Sequence, residues 1–306
     1  MLNTKLIKEK AKSLGFASVG IAPAHKLEEA EERFGAALEE GRNADLHFLE
    51  RDVDKRFDPE ELLPDCKSVL VVALDYRIND KPASTRYRTA RYTWVEDYHV
   101  LVKQMLAQVV EAIQQQEPNA HCRITVDSSC ISEKNWAIEA GVGCIGKNSL
   151  IHNENGSFFV LGTILTDCAF DAYDSPKMSD CGNCTLCIDS CPAHALTPYK
   201  LDARKCYSYH TVENKNPDIQ VLTDSPFVFG CDICQEVCPK NKKNIQNHPS
   251  VLKSSLFLRL QNEEMENLTQ EDFKTNFGDT AIARRKLERF SRAIKAKKTG
   301  SSRKES

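Results

Sequence analysis

The stretch SDCGNCTLCIDSCPAHAL at residues 179–196 decides how this chain of 306 residues is built. Its cysteines follow the pattern C-x2-C-x2-C-x3-C-P, and the stretch GCDICQEVCPKNKK at residues 230–243 repeats the C-x2-C-x3-C-P part. Three cysteines spaced by two residues wrap a tight loop around one face of a cubic [4Fe–4S] cluster, and the fourth cysteine of such a run ligates the other cluster of a pair. The spacing therefore predicts two [4Fe–4S] clusters.

The second group has no third close cysteine, and Cys206 is the candidate that completes its ligands. The exchange rule then assigns one cluster to Cys181, Cys184, Cys187 and Cys238, and the other to Cys191, Cys206, Cys231 and Cys234. Zinc and disulfides are the alternatives. Zinc usually takes four ligands in two C-x2-C pairs, which eight cysteines with two Cys-Pro ends fit poorly. Disulfides are rare in reducing compartments, so we favour the clusters.

The composition is ordinary for a globular protein, with 41% hydrophobic and 28% charged residues. The sequence contains no run of 18 apolar residues, so we expect no transmembrane helix and no membrane partner. Charges run through the N-terminal stretch MLNTKLIKEKAKSLGF, which argues against a secretory signal. We therefore expect a cytoplasmic protein, and nothing in the sequence demands more than a monomer.

Positive charge is concentrated at the C-terminus. Residues 281–306 hold ten Lys and Arg against the two acids Glu288 and Glu305, which leaves a clear negative excess in residues 1–280. A basic tail on an acidic body favours a polyanion partner. The alternative is a solvated, frayed C-terminus without a binding role.

The hydrophobic pattern mixes helices and strands without strict alternation, which indicates an α+β layered domain. The predicted helices cover residues 4–14, 25–41, 97–115 and 131–140, and the predicted strands cover 16–22, 68–76 and 122–126. A hairpin turned at 153–156 is expected over residues 149–166. The cysteine-rich module is expected at about residues 178–245, followed by helices over 250–298.

Asp127 ends a predicted strand just before a predicted helix. It could cap that helix, because Asp is preferred at such positions. Alternatively, it could act as a general acid where the strand end faces a cleft. Asp97 is likewise a candidate helix cap, and His99 is expected to be a structural histidine.

The glycine-rich turn GVGCIGKN at residues 141–148 follows a helix, so it does not match a dinucleotide-binding loop. Two interpretations remain open. The turn could lie with its backbone against a large flat ligand, or it could simply end the helix. Arg56, in a charged loop, could meet a phosphate or an amide oxygen, or only solvent.

Taken in order, RFDP at 56–59, EDYH at 96–99, VDSSCISEKNWAIEAGVGCIGKN at 126–148 and the two cysteine groups resemble the epoxyqueuosine reductases. These enzymes use cobalamin and iron–sulfur clusters to reduce epoxyqueuosine to queuosine in tRNA. The resemblance covers residues 1–245 and, more loosely, 246–298. It implies a nitroreductase-like cobalamin-binding α+β domain at 1–175, a ferredoxin-type bis-[4Fe–4S] module at 176–245 and a short helical segment with a basic tail at 246–306.

The resemblance also implies roles for individual residues. Asp127 matches the catalytic acid of the family and would lie at the cobalamin, while Arg56, Tyr92, Asn148 and Ser208 match positions of corrin contacts. Longer family members continue into HEAT-type repeats that help to bind tRNA. We expect this chain to be the short form, with its basic tail as the substitute.

The resulting hypothesis is an enzyme that removes the epoxide oxygen of epoxyqueuosine at the wobble position of tRNA, using an external electron donor. Asp127 would protonate the oxygen, which predicts a pKa raised by a poorly solvated site. Three alternatives are a cobalamin-dependent reductive dehalogenase of a small molecule, a ferredoxin-like electron carrier, and a nucleic-acid-binding module with structural clusters.

Overall fold

The computed structural model describes residues 1–127, 129–178, 181–242 and 251–302, with the backbone alone at 300–302. The strands are β1 Ser18–Pro23, β2 Ser68–Asp75, β3 Arg88–Thr89, β4 Cys122–Thr125, β5 Cys144–Ile145, β6 Ile151–His152, β7 Phe159–Thr166, β8 Leu196–Thr197, β9 Lys200–Leu201 and β10 Phe227–Phe229. The α-helices are α1 Thr4–Ser13, α2 Glu28–Glu39, α3 Val53–Phe57, α4 Tyr98–Gln116, α5 Glu133–Glu139, α6 Leu186–Asp189, α7 Ile219–Asp224, α8 Ile233–Glu236, α9 Asn262–Glu266, α10 Gln270–Phe277 and α11 Leu287–Ser302. A π-helix covers Tyr209–Glu213, and short 3₁₀ helices cover His47–Leu49, Pro59–Glu61, Arg91–Thr93, Pro239–Lys242, Leu256–Arg259 and Ala281–Arg284.

A four-stranded antiparallel sheet in the order β1-β2-β7-β4 forms the centre of the α+β domain. Every residue of β2 is buried, which fits its continuous run of β-branched and other apolar residues. Leu70 and Val72 face a core shared with α1 and α4, whereas Val69 and Val71 face a core shared with α2, α3 and α5. The sheet is therefore covered by helices on both faces, as the layered prediction requires.

The predicted hairpin over residues 149–166 is correct in its turn and wrong in its pairing. Asn153 and Gly156 exchange backbone hydrogen bonds of 2.9 and 3.1 Å at the expected turn. The two arms do not pair with each other, because β6 pairs with β5 while β7 lies between β2 and β4. Apolar alternation predicts that a segment is a strand, but it does not select the partner strand.

The C-terminal segment is folded, and the frayed-tail interpretation is wrong for residues 287–302. Helix α11 packs through Phe290 and Ile294 into a third core with Phe273 and Phe277 of α10. Tyr87 and Phe229 belong to the same core, so segments from all three predicted domains meet there. The boundaries at residues 175 and 245 stay a prediction. The last basic residues, Arg303 and Lys304, lie outside the described residues.

The ends of several elements converge at one edge of the sheet. Thr125 at the end of β4 pairs with Thr163, which brings Asp127 beside the start of β7. Helix α4 begins at the same edge and packs closely on β7, since a Cβ atom at Gly162 would lie 2.7 Å from Cγ1 of Val102. Within the described residues, no helix combines the length and apolarity needed to cross a bilayer.

Candidate active site

Two adjoining cavities open at this edge of the sheet. The larger has a volume of about 350 Å³ between the domain and the cysteine-rich segment, and the smaller has a volume of about 180 Å³ beside Asp127. Five residues line both cavities: Tyr98, Leu150, Ser157, Phe159 and Val160. A ligand in the larger cavity would therefore lie next to a group bound near Asp127.

Four of the predicted ligand cysteines line the larger cavity, namely Cys191, Cys206, Cys231 and Cys234. Burial raises the pKa of the Cys231 thiol to about 12, and the neighbouring Cys206 and Cys191 raise it further. Burial also raises the pKa of Cys234 to about 12, with Cys231 and Cys206 as charged neighbours. Each of the four thiols thus has at least two of the others as neighbours, and their assignment to one cluster stays a prediction.

The other four cysteines form a second neighbourhood. Burial raises the pKa of the Cys187 thiol, and the charges of Cys238, Cys181 and Cys184 add to the rise. Of these, Cys184 is exposed. Thus Cys238 lies near the first group of cysteines and Cys191 lies near the second. The crossing of ligands between the two clusters stays a prediction of the exchange rule.

The alternatives to clusters find no support in this geometry. All thirteen cysteines lie within the described residues, and none of them forms a disulfide there. In the same part of the chain no three His, Cys, Asp or Glu side chains converge on a single metal ion. A zinc ion needs ligands that meet at about 2.3 Å from one point, whereas the thiolates of a [4Fe–4S] cluster bind separate irons and stand further apart.

Asp127 takes a left-handed backbone conformation, with φ of 52°, at the rim of the smaller cavity. Its Oδ2 accepts hydrogen bonds from the Tyr98 hydroxyl at 2.9 Å and from Nε2 of His99 at 2.8 Å. Its backbone N–H donates to Oε1 of Glu133 at 3.0 Å. The N-cap of α5 is Ser132, so the interpretation of Asp127 as a helix cap is wrong.

His99 connects Asp127 to a second carboxylate. Its ring is buried, and Nδ1 lies 2.6 Å from Oδ1 of Asp97. Asp97 also caps α4, because Oδ1 accepts the backbone N–H of His99 at 3.0 Å. Nε of Arg284 lies 3.3 Å from the other oxygen of Asp97. The cap prediction for Asp97 is confirmed, but His99 contacts the candidate catalytic residue directly.

The expected rise in the pKa of Asp127 is wrong for this arrangement. The hydrogen bond from His99 holds the pKa of the Asp127 carboxyl below its usual value, against the opposing effect of burial. Burial acts to lower the pKa of His99, but the hydrogen bonds to Asp127 and Asp97 raise it overall. The two carboxylates therefore favour the protonated form of the imidazole, and the imidazole favours the ionised form of Asp127.

Glu133 and Lys134, which the sequence analysis did not single out, line the smaller cavity with Asp127. Partial burial raises the pKa of Glu133 to about 8, whereas the side chain of Lys134 is exposed. In the sequence both residues look like ordinary members of the first turn of a helix. The only signal was their place six and seven residues after Asp127 of the V-D-S-S motif.

Three of the predicted corrin contacts, Tyr92, Asn148 and Ser208, line the larger cavity. Asn148 is buried and its side chain contacts the Cys234 thiol. Arg56 lines neither cavity, because its guanidinium donates to the carbonyl oxygens of Phe48 at 2.6 Å and Cys130 at 3.3 Å. The corrin contact of Arg56 stays a prediction, and the position of Arg56 outside both cavities does not support it.

The glycines of the 141–148 turn serve chain packing. Gly141 follows α5 with φ of +64°, a conformation that favours glycine after a helix end, so the helix-stop interpretation is confirmed there. A Cβ atom at Gly143 would lie 2.7 Å from the carbonyl oxygen of His152. The turn then delivers Asn148 and Leu150 to the wall of the larger cavity.

Comparison with known proteins identifies the relatives of this chain. The family model "Epoxyqueuosine reductase QueG, DUF1730" matches residues 56–128, and the model of a 4Fe-4S double cluster binding domain matches residues 180–241. The epoxyqueuosine reductase of Cellulophaga algicola is 36% identical over 303 residues, which cover 96% of this chain and 99% of that protein.

Solved structures give the same result. A crystal structure of selenomethionine-labelled epoxyqueuosine reductase aligns with a TM-score of 0.87 and 28% identity, covering 96% of this chain and 80% of the other. A crystal structure of epoxyqueuosine reductase with an epoxyqueuosine-modified tRNA-Tyr stem loop aligns with a TM-score of 0.85 and 29% identity over the same shares.

Proposed function

The chain belongs to the epoxyqueuosine reductase family and is an oxidoreductase with a 4Fe-4S double cluster domain, and we propose that it reduces epoxyqueuosine in tRNA by means of a bound cobalamin. One observation carries this proposal: the candidate acid Asp127 and four ligand cysteines face two adjoining cavities. Substrate, cobalamin and cluster can then be bound next to one another, with no solvent-filled gap between them.

The larger cavity suits a cobalamin. Its walls are mostly apolar and aromatic, as a flat macrocycle requires. Asn148, Ser157, Ser208 and Gln235 add amide and hydroxyl groups that match the amide side chains of a corrin. Bound there, a reduced cobalamin would supply the electrons that open the epoxide.

Electrons would enter at the exposed side of the cysteine-rich segment. Cys184 is exposed, whereas the thiols of the other predicted cluster form one wall of the larger cavity. An external donor would thus reduce the outer cluster first, and the inner cluster would stand beside the cobalamin. Lys147 fastens the outer loop, since Nζ donates to the carbonyl oxygens of Gly182 at 2.6 Å and Cys184 at 3.0 Å.

The proton for the epoxide oxygen would come from the His99–Asp127 pair. The protonated imidazole holds one proton 2.8 Å from Oδ2 of Asp127, and Asp127 faces the cavity with 60% of its side chain exposed. Substrate that excludes water from the cavity would disfavour the charged pair and move the proton to Asp127. Asp127 would then donate it, because an alkoxide is a poor leaving group near neutral pH.

The tRNA would be held in part by three basic side chains of the tail, those of Lys286, Arg289 and Lys295, for which the described structure shows no ion pair. Other basic residues of the tail are engaged within the protein: Arg285 contacts Glu213 and Lys298 contacts Glu266, each at 2.5 Å. The proposal that the tail binds tRNA therefore concerns these three side chains. A tRNA substrate and unpaired thiols both fit a cytoplasmic location.

The substitution Asp127→Asn tests the proposal. The asparagine keeps the shape of the side chain but cannot transfer a proton, so cobalamin, iron and tRNA binding are expected to persist while turnover of epoxyqueuosine-containing tRNA falls at least about 100-fold. Turnover is measured anaerobically by nucleoside analysis. Asp167→Asn, at a His–Asp pair remote from the cavities, is the control. Near-normal turnover of Asp127→Asn would remove Asp127 from the mechanism, and purified protein unable to bind cobalamin would refute the proposed cofactor.

A further inference from the structure

Removal of an epoxide oxygen needs two protons, and the His99–Asp127 pair holds one. Both C–O bonds break, a C=C bond forms, and the oxygen leaves as water, which consumes two electrons and two protons. The electrons come from the external donor through the clusters. The first proton reaches the oxygen as the first C–O bond breaks, and the second is needed for the hydroxyl group to leave as water.

We propose that Glu133 donates the second proton, an inference that rests on the proposed function. Its side chain lines the smaller cavity together with Asp127, and its Oε1 accepts the backbone N–H of Asp127 at 3.0 Å. This contact holds the two carboxyl groups on the same wall. An oxygen atom that Asp127 protonates in the cavity would therefore also lie close to the carboxyl group of Glu133.

The surroundings of Glu133 keep it protonated at neutral pH, in contrast to Asp127. Burial raises the pKa of Glu133 to about 8, and the negative charge of Asp127 adds to the rise. The backbone N–H of Asp127 and the charge of His99 act in the opposite direction. Lys134, the next residue of α5, also lines the cavity, and it is exposed. Two carboxyl groups thus share a site with different protonation states, as an acid and its partner require.

The other polar groups of the cavity are engaged differently. The Tyr98 hydroxyl donates to Asp127 at 2.9 Å, and burial raises its pKa, so it retains its proton. Lys134 Nζ donates to the carbonyl oxygen of Ser149 at 3.2 Å, which directs it to the turn after β5. Glu133 remains the group that combines a place in the cavity with a proton available near neutral pH.

The test compares Glu133→Gln with Glu139→Gln, the same change on α5 outside both cavities. Glutamine keeps the Oε1 acceptor for the Asp127 N–H, so the fold, the melting temperature and the iron and cobalamin contents are expected to match wild type. Wild-type turnover is expected to fall above about pH 8, as Glu133 loses its proton. Glu133→Gln is expected to lower turnover at pH 7 about 100-fold and to remove this alkaline decrease. Glu139→Gln is expected to retain the wild-type turnover at pH 7 and the alkaline decrease.

Infrared difference spectroscopy gives a readout that does not depend on turnover. The C=O stretch of a protonated carboxyl is expected to disappear with a midpoint near pH 8 in wild type and to be absent in Glu133→Gln. A wild-type rate and pH profile in Glu133→Gln, or a band that titrates near pH 4, would overturn the inference. So would loss of the alkaline decrease in Lys134→Gln alone. Wild-type activity separates the two proposals: absence of epoxyqueuosine reduction by wild type would refute the proposed function, whereas wild-type turnover that Glu133→Gln leaves unchanged would refute only the inference about Glu133.

Discussion

Nε of Arg284 lies 3.3 Å from Oδ2 of Asp97, which links the C-terminal segment to the histidine that contacts Asp127. Half of the Arg284 side chain is exposed, so the ion pair contributes little to stability. Its effect is to orient Asp97 and, through it, His99. The C-terminal segment therefore reaches the candidate active site by way of two hydrogen-bonded residues.

Arg284→Gln is expected to lower turnover about threefold, with the melting temperature nearly unchanged, since exposed pairs contribute at most about 1 kcal/mol. The decrease should appear in kcat and not in KM if Arg284 only orients Asp97. Arg33→Gln is the matched control, because Arg33 forms a surface ion pair with Glu29 on α2. A changed KM with constant kcat would instead make Arg284 a substrate contact.

His99→Gln is expected to lower turnover about 100-fold, because it removes the proton that Asp127 would relay. It also leaves Asp97 without its charged partner, at a cost of about 1–3 kcal/mol in the free energy of unfolding. Chemical denaturation and turnover assays measure the two effects. His121→Gln, at an exposed pair with Asp167, is the control and should retain turnover. An equal loss of activity in both variants would contradict the relay.

The stability that the Asp97–His99–Asp127 group contributes is expected to depend on pH in both directions. The pKa of His99 is raised from 6.5, so its contribution is complete below pH 6.5 and is lost as pH rises through the higher folded value. The pKa of Asp97 is lowered to about 2, and that of Asp127 is also lowered, so their contribution is complete above about pH 4 and is lost under more acidic conditions.

The measurement is the difference in melting temperature between wild type and His99→Gln. This difference should be largest between about pH 4 and pH 6.5 and should shrink at alkaline pH. A difference that grows steadily with pH would mean that His99 is neutral in the folded protein.

Cys206→Ser tests the ligand that lies apart from both cysteine motifs. Loss of one thiolate is expected to leave about four irons of about eight, with the outer cluster retained. Iron analysis and electron paramagnetic resonance of anaerobically purified protein measure the loss. Cys168→Ser is the control, since Cys168 lies outside the cysteine-rich segment and should keep the full iron content. Full iron content in Cys206→Ser would mean that Cys206 is not a ligand and that another residue completes the second cluster.

Replacement of Lys286, Arg289 and Lys295 by glutamine tests whether these basic side chains of the tail bind tRNA. Deletion of the whole tail would be a poor test, because α11 contributes Phe290 and Ile294 to a core. The triple variant is expected to bind tRNA more weakly and to reduce the slope of log affinity against log salt by about one for each lost phosphate contact. The control replaces Lys5, Lys10 and Lys12 on α1. An unchanged slope would leave the tail without a role in tRNA binding.

The sequence by itself determined the features that depend on local spacing. The C-x2-C-x2-C-x3-C-P run predicted the cluster domain, because three thiolates spaced by two residues reach one cluster from a single loop. The apolar run of β2 and the Asp97 cap of α4 followed from equally short patterns. The crossing of Cys191 and Cys238 between the groups also follows from a rule of ligand exchange between two adjacent runs, and it stays a prediction.

Only the tertiary structure decided which distant residues act on each other. Asp127 and His99 are 28 positions apart, and their contact exists because β4 and α4 meet at one edge of the sheet. That contact reversed the expected direction of the Asp127 pKa, whereas burial nearby raised the pKa of Glu133. The proton affinity of a carboxyl group depends on its neighbours in space and on its desolvation, and neither is encoded in the few residues around it.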